Sequence, residues 1–458
     1  MELKKDGESM NILIINGSPK GDYSITLQTS KYLELLNPHH NFSYLNAAQG
    51  IKAFERDFTK AADAVKNADI LIFSYPVYTF LAPYQLHRFI ELLKESNIDL
   101  SGKWATQIST SKHFYDVTAH RYIKENCLDL KLKYVQGLSA DMDDLPLEKG
   151  QQDAKDFFSY LTWCIENDIF DSSEGSKEAF TPVIPHTLLE SGEKTGDIVI
   201  VTDVTEDNIS LSKMIERFRN AVDKNTRIVN LKEYPFKGGC LGCLNCAPAG
   251  KCVYKDGFDE FLRENIQNAD AIVYAYSIKD HSFGIHSKLY NDRQFCNGHR
   301  AMTMGKPVGY LIDGPLKKEY NVQTIIEARA QVGHNFLAGV ATNEIDPDTE
   351  IDTLAKKISY ALNNSFAPPR NFYGVGGMKI FRDLIWLMRG IMKADHKFYK
   401  AKGEYDFPQK KWPMMLAMHL VGAMFASEEI KKKMGNKMNE GMLMPYEKVL
   451  KSVKKDDK

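Results

Sequence analysis

The chain has 458 residues, of which 43% are hydrophobic and 26% charged, and its formal net charge at pH 7 is −1. This length predicts two or three domains, and the composition excludes a disordered, collagen-like or disulfide-scaffolded protein. We expect no nucleic-acid partner. The N-terminus is polar up to a first apolar run of only four residues, Ile12 to Ile15, so we predict no signal peptide and a cytoplasmic location.

A phosphate-binding loop is predicted directly after this first apolar run. Residues 16–26 read Asn-Gly-Ser-Pro-Lys-Gly-Asp-Tyr-Ser-Ile-Thr, and a helix begins near Thr26. A helix N-terminus with free backbone N–H groups and nearby hydroxyls attracts a phosphate group. The candidate phosphate-binding side chains are Ser18, Lys20, Ser24 and Thr26. The alternative is an ordinary loop with a Ser/Thr N-cap.

Two further strand ends are predicted to lie near this loop. Residues 75–83 read Tyr-Pro-Val-Tyr-Thr-Phe-Leu-Ala-Pro, a proline turn with flanking aromatic residues that can form a wall for a flat heteroaromatic ring. The next strand, at residues 105–108, leads into a run of hydroxyl residues. Either stretch could instead be an ordinary turn. The candidate ring-binding residues are Pro76, Val77, Tyr78, Thr79, Ser109, Thr110 and Ser111.

The chain contains an internal repeat. Residues 68–78 are similar to residues 269–279, and the strand at 11–16 is similar to residues 197–202. In each copy, short apolar runs alternate with helical patterns, which predicts parallel strands joined by right-handed crossovers in a doubly wound sheet. Ligands of such sheets bind at the carboxyl ends of the strands.

The second copy of the phosphate loop differs from the first in charge. It has Asp203, Glu206 and Asp207 at the positions where the first copy has glycine or lysine. Three carboxylates would repel a dianionic phosphate. We therefore predict that only the first copy binds a nucleotide.

A cysteine motif, C-x2-C-x2-C-x5-C, distinguishes the second copy from the first. Its members are Cys240, Cys243, Cys246 and Cys252. Thiolates at this close spacing can surround one [4Fe–4S] cluster, and the intervening glycines let backbone N–H groups approach the sulfurs. The alternatives are zinc, whose structural sites usually pair two separated CxxC segments, and a thiol cluster without metal.

The first copy, from residue 10 to about 165, resembles the flavodoxin-like NAD(P)H-dependent FMN reductases. The family's phosphate loop, Gly-Ser-Pro-basic followed by Ser-x-Thr, is matched at residues 17–20 and 24–26, and its Pro-Val-Tyr ring loop is matched at 76–78. Residues 196 to about 345 resemble the iron–sulfur flavoproteins through the cysteine motif and its continuation to Asp256. They depart from that family at residues 277–280, where a flavin-contacting Pro-Val-Tyr would stand.

This resemblance implies an FMN-dependent NAD(P)H oxidoreductase. FMN would bind the first copy, accept hydride from a nicotinamide nucleotide, and pass electrons through a [4Fe–4S] cluster to an unidentified acceptor. It also implies that the cluster of one copy lies near the flavin of the other, as in a dimer. One alternative is a non-catalytic flavodoxin/ferredoxin-like electron carrier that serves a partner reductase. Another is a binding or structural protein without cofactors.

The C-terminal region differs in composition from the rest. From residue 370 to 458 there are 19 Lys and Arg against 10 Asp and Glu, and 11 of the 17 methionines. Two apolar helical stretches, 380–392 and 412–426, are both shorter than the ~20 residues that span a bilayer. They could contact a membrane surface or a partner protein, or pack on the cores or in a homo-oligomer interface.

The predicted fold class is therefore α/β. We expect two tandem flavodoxin-like doubly wound parallel sheets, at residues 10–170 and 196–366, and a C-terminal α-helical extension at 370–458.

Overall fold

The computed structural model describes residues 9–172, 179–189, 192, 194–426, 443–444, 446–447 and 449–450. The chain forms two compact units, Met1–Tyr399 and Lys400–Lys458. Most of the predicted C-terminal extension beyond residue 426 lies outside the described residues.

The first α/β domain has a parallel sheet in the order β2-β1-β3-β4-β5, with β6 paired to β4. Its central strands are buried on both faces, which explains the apolar runs of β1 and β3, whereas the equally buried β4 contains Thr, Gln and Ser residues. The strands are β1 (Asn11–Asn16), β2 (Asn41–Leu45), β3 (Ile70–Pro76), β4 (Trp104–Ser111), β5 (Lys133–Tyr134) and β6 (Leu138–Asp141). The helices are α1 (Ile25–Leu36), α2 (Ala47–Phe54), α3 (Thr59–Asn67), α4 (Tyr84–Glu95), α5 (Asp116–Asp129) and α6 (Glu148–Glu166).

The second α/β domain has a parallel five-stranded sheet in the order β11-β10-β9-β7-β8, which is the same topology. The strands are β7 (Thr195–Thr202), β8 (Lys224–Asn230), β9 (Ala271–Ser277), β10 (Pro307–Asp313) and β11 (Phe336–Thr342). The helices are α7 (Ile209–Ala221), α8 (Phe258–Leu262), α9 (Gly284–Arg293), α10 (Tyr320–Val332) and α11 (Pro347–Asn364). The fold class predicted from the sequence is confirmed.

The repeat extends to individual hydrogen bonds. Lys103 donates from its Nζ to the Ala68 carbonyl oxygen at 2.6 Å, and Lys306 does the same to the Ala269 carbonyl oxygen at 2.6 Å. Each lysine precedes the fourth strand of its domain and ties it to the start of the third.

The two domains pack through equivalent helices. Helix α4 contacts α9, and α5 contacts α10, so each helix meets its own counterpart, as in a two-fold symmetric dimer. Ile325 and Ala328 of α10 belong to the same buried apolar core as Leu86 of α4. The tandem repeat therefore forms a pseudo-dimer within one chain.

Three helices follow the second sheet: α12 (Phe372–Leu387), α13 (Lys393–Ala401) and α14 (Trp412–Phe425). Helix α12 packs on α10 and on the first domain, where Phe381 and Phe114 have ring centroids 4.2 Å apart. The close approach requires Gly377, because a Cβ there would lie 2.8 Å from the Val332 side chain. No helix in the described part of the chain is both long and apolar enough to cross a membrane.

Candidate functional site

A cavity of about 480 Å³ lies between the two α/β domains, at the carboxyl ends of the strands of the first sheet. Its lining contains ten of the eleven predicted cofactor-binding residues: Ser18, Lys20, Ser24, Thr26, Pro76, Val77, Tyr78, Thr79, Thr110 and Ser111. The same lining contains all four residues of the cysteine motif, Cys240, Cys243, Cys246 and Cys252. The structure thus brings the two predicted sites together in one cavity.

The loop between β1 and α1 is organised by an asparagine at the end of the strand. Asn16 accepts a hydrogen bond from the Ser18 backbone N–H at 3.1 Å and donates one to the Gly21 carbonyl oxygen at 3.1 Å. Ser24 is the N-cap of α1 and accepts from the Leu27 N–H at 3.4 Å. The first amides of α1 have no partner within the helix, so they are available to an anion.

The phosphate loop is joined to the end of β4 by two hydroxyl groups. The Oγ1 atoms of Thr26 and Thr110 lie 2.5 Å apart. The neighbouring Ser109 does not line the cavity, because its hydroxyl pairs with the His120 Nε2 atom at 2.8 Å. Thr110 and Ser111, the last two residues of β4, line the cavity, whereas Ser109 lies one residue further from the carboxyl end of the strand.

The loop after β3 is a tight turn with a defined backbone. Tyr78 and Leu81 exchange two backbone hydrogen bonds, at 2.8 and 3.1 Å, while Thr79 and Phe80 between them have positive φ angles of 43° and 73°. The corresponding loop of the second domain, residues 279–282, has the same pair of bonds and also two positive φ angles. The second copy therefore retains this backbone turn although its side chains differ.

Helix α9 of the second domain holds the turn of the first. Lys288 donates to the Tyr78 carbonyl oxygen and to the Thr79 hydroxyl, both at 2.7 Å, and is ion-paired with Asp292. Asp292 accepts from the Thr79 hydroxyl at 2.6 Å and from the Tyr84 backbone N–H at 2.8 Å. Both charged side chains are buried. The position of the turn thus depends on the second domain.

The second domain's counterpart of the phosphate loop is filled by its own side chains. Asn343 donates to the Ser210 hydroxyl at 2.7 Å and to Asp313 at 2.5 Å, and Asn208 donates to Asp313 at 3.1 Å. Burial raises the pKa of Asp203 in this loop to about 6. These contacts and carboxylates are unfavourable for a bound phosphate, in keeping with the sequence prediction.

The cysteine loop lies against the phosphate and ring loops of the first domain. Gly242 has a φ of 61°, and a Cβ at this position would lie 2.0 Å from the Tyr78 hydroxyl oxygen and 3.3 Å from Lys20 Cε. The Gln85 side chain donates to the Cys240 carbonyl oxygen at 3.3 Å. Only glycine permits this close approach of the two loops.

The cysteine sulfurs have N–H donors close by. Such hydrogen bonds to sulfur tune the reduction potential of iron–sulfur clusters. The three donor–sulfur contacts are Gly242 N to Cys240 Sγ at 3.5 Å, Asn245 Nδ2 to Cys243 Sγ at 3.2 Å, and Arg293 Nη2 to Cys252 Sγ at 3.9 Å. Burial raises the pKa of Cys240 to about 12 and that of Cys246 to about 11. These two buried thiols are therefore poor nucleophiles.

The spacing of the sulfurs bears on the type of metal. Among the described residues, no three cysteine sulfurs lie within 4.8 Å of one another. Sulfur ligands of one tetrahedral zinc ion, with Zn–S bonds of about 2.3 Å, lie about 3.8 Å apart. The loop is therefore more open than a closed single-ion site.

A buried ion pair closes the cysteine loop. Arg293 and Asp256 form two hydrogen bonds, at 2.7 and 2.8 Å, and Arg293 also donates to the Gly238 carbonyl oxygen at 3.0 Å. The guanidinium thereby joins the two ends of the loop that carries the cysteines.

Comparison with known proteins identifies the first domain. The sequence profile of a family described as "Flavodoxin-like fold" matches residues 10–133. The first domain is flavodoxin-like. No curated protein matches the chain.

The solved structures that resemble this protein each cover about a third of the chain. One is an NADH:FMN oxidoreductase in its apo form, at 17% identity over 36% of this chain and 92% of that chain, with a TM-score of 0.30. Another is an FMN-dependent NADH-azoreductase from Bacillus anthracis str. Ames Ancestor in complex with FMN. The match has 16% identity, covers 33% of this chain and 99% of that chain, and has a TM-score of 0.27. A third is an NAD(P)H:quinone oxidoreductase from Methanothermobacter marburgensis. The match has 12% identity, covers 36% of this chain and 100% of that chain, and has a TM-score of 0.26.

Helix α12 adds an apolar wall to the cavity beside the flavodoxin-like domain. Phe381, Leu384 and Met388 line the cavity, together with Phe114 of the first domain. These residues were not among the predicted site residues. Their helical spacing indicated an apolar face but not the surface that this face contacts.

Three polar side chains of the second domain face the same cavity with an atom unsatisfied. Asn297 Oδ1, Gln267 Oε1 and His299 Nδ1 are buried and have no hydrogen-bond partner within the described part of the chain. Burial lowers the pKa of His299 to about 4, so its ring is neutral at physiological pH. These three atoms are available to a polar ligand or to water in the cavity.

Proposed function

We propose that the protein is an FMN-dependent NAD(P)H oxidoreductase that passes electrons through FMN and a [4Fe–4S] cluster to an acceptor. The observation that carries this proposal is the single cavity lined by both the flavodoxin-like loops and the four cysteines. When bound, FMN would supply hydride acceptance from nicotinamide, and the cluster would supply single-electron transfer. The residues of this chain bind and orient the two groups.

The phosphate end of FMN would be held by the loop between β1 and α1. The helix N-terminus and the hydroxyls beside it fit a dianion, and Lys20 adds a positive charge. The phosphate-binding residues would be Ser18, Lys20, Ser24 and Thr26. The isoalloxazine ring would be held by Pro76, Val77, Tyr78, Thr79, Thr110 and Ser111. We expect no second FMN, because side chains fill the corresponding loop of the second domain.

The cluster would be held by Cys240, Cys243, Cys246 and Cys252. The compact motif and the N–H donors to three of its four sulfurs favour a multi-iron cluster over a single zinc ion. The contact of Gly242 with Tyr78 would place the cluster loop beside the ring loop.

The cavity favours an enzyme over a carrier that only meets other proteins. Its volume is in the range of small-molecule sites, and it combines an apolar wall on α12 with unpaired polar atoms of the second domain. A carrier would need only an exposed cofactor edge. The non-catalytic flavodoxin/ferredoxin-like electron carrier is the alternative function.

Anaerobic mixing of the purified full-length protein with NADH or NADPH separates these two functions. We expect the flavin absorbance to bleach within seconds with at least one of the two nucleotides. A flavin that dithionite reduces but neither nucleotide bleaches would establish the carrier. The matched control is the protein with Ser18 and Ser24 both replaced by Glu, which should carry no flavin to bleach.

A further inference from the structure

Helix α14, Trp412–Phe425, contains one polar residue, His419, and is otherwise apolar and largely exposed. Trp412 is 68% exposed and Leu420 is 62% exposed. At 100° per residue, the exposed apolar side chains point in all directions around the helix axis. They are Trp412, Met414, Met415, Leu416, Met418, Leu420 and Met424. A helix of this kind requires an apolar environment on every side.

The length of α14 limits what this environment can be. Its 14 residues span about 21 Å, less than the ~30 Å of the hydrocarbon core of a bilayer. A segment of this length can be enclosed at the membrane interface without crossing the membrane. Trp412 stands at its N-terminal end, and tryptophan is enriched at the membrane–water boundary.

Basic residues flank the helix on both sides in the sequence. Lys410 and Lys411 precede it, and Lys431, Lys432 and Lys433 follow it. Lysines beside an apolar segment are attracted to the negative surface potential of anionic lipids. Glu428 and Glu429 lie between the helix and the lysines that follow it, so residues 410–433 carry five lysines against two glutamates, and this net positive charge complements an anionic bilayer.

We infer that α14 is a membrane-binding helix that inserts into one leaflet of an anionic lipid bilayer. A protein groove covers one face of a helix and would leave the opposite apolar face in water, whereas lipid can surround all faces. The inference is independent of the proposed redox function, because it rests on α14 and its flanking lysines alone.

Vesicle co-sedimentation of the full-length protein tests this inference. We expect binding to vesicles that contain phosphatidylglycerol, much weaker binding to pure phosphatidylcholine vesicles, and a decrease in binding with added salt. Replacing Leu416 and Leu420 by Glu should abolish binding. Replacing Lys410 and Lys411 by Gln should weaken it about 25-fold, which is about fivefold per lysine. The matched control is Leu35→Glu, an exposed leucine on α1, which should bind like the wild type.

Three outcomes would overturn the inference. The first is that the wild-type protein does not bind anionic vesicles. The second is that the Leu416→Glu, Leu420→Glu variant and the Lys410→Gln, Lys411→Gln variant both bind anionic vesicles as well as the wild type does. The third is that the wild type forms a dimer in the absence of lipid which the Leu416→Glu, Leu420→Glu variant converts to a monomer, because a second copy then covers the helix. If the double Glu variant does not fold, the Lys410→Gln, Lys411→Gln variant still decides, since both lysines are exposed.

Discussion

The ammonium group of Lys288 in the second domain donates a hydrogen bond to the main-chain carbonyl of Tyr78 in the first domain, at 2.7 Å. Burial lowers the pKa of Lys288, and the ion pair with Asp292 opposes this effect. The pair crosses the pseudo-dimer interface and fixes the turn that we propose to hold the flavin ring. This contact gives the second domain a role in the first site, although its own phosphate loop is filled.

Removing Lys288 should destabilise the protein strongly. Lys288→Met leaves the Asp292 carboxylate buried without its cation, and we expect the free energy of unfolding to fall by about 3–5 kcal/mol. Denaturant unfolding measures this change. The double variant Lys288→Met, Asp292→Asn should be more stable than Lys288→Met alone, because it buries no unpaired charge. If the double variant loses as much free energy of unfolding as the Lys288→Met and Asp292→Asn single variants lose together, the two residues act independently.

The protein should carry close to one FMN per chain. Replacing Ser18 and Ser24 together by Glu places two negative charges at the N-terminus of α1, where the phosphate would bind, and should abolish FMN binding. Flavin content after purification and fluorescence titration with FMN measure the effect. The matched control, Ser212→Glu in the second loop, should retain FMN. If the Ser18→Glu, Ser24→Glu variant retains FMN, or if the wild-type chain binds two FMN, the FMN site has been assigned to the wrong domain.

The ion-pair cluster around His281 should make stability depend on pH. Burial alone would lower the pKa of His281, but its hydrogen bonds to Asp129 and Glu319 outweigh burial and raise the pKa to about 9. The charged ring therefore stabilises the fold fully below pH ~6.5, the ordinary histidine pKa, and this contribution disappears as the pH rises through about 9. The Asp129 contact joins the two domains.

Comparing the wild type with His281→Gln measures this contribution. The difference between their free energies of unfolding should be largest at pH 6 and should vanish near pH 10. A difference that stays constant over this range would contradict the charged state of His281.

The fold was predictable from the sequence because the buried strands are short apolar runs that recur in both copies. The position of Ser18, Ser24 and Thr26 beside the N-terminus of α1 was predictable because hydroxyl residues between a buried strand and a helix are typical of an N-cap. That Thr110 lines the site and Ser109 does not was not predictable, because β4 is buried on both faces and shows no polar alternation that would indicate which residues face the site. Nor was the wall formed by α12, because the apolar face around Phe381 does not specify which of several surfaces it will contact.

In the proposed function, electrons pass from a flavin in the first domain to a cluster in the second through their shared cavity. The most direct measurement compares anaerobically prepared wild type with the Cys243→Ser, Cys246→Ser variant for iron content and for NAD(P)H-driven reduction of a one-electron acceptor. We expect the variant to lose iron and the absorbance of the cluster and to reduce the acceptor more slowly, while FMN binding and flavin bleaching by NAD(P)H stay nearly unchanged. Wild-type protein that contains zinc or no metal, or a variant that reduces the acceptor at full speed, would contradict this proposal.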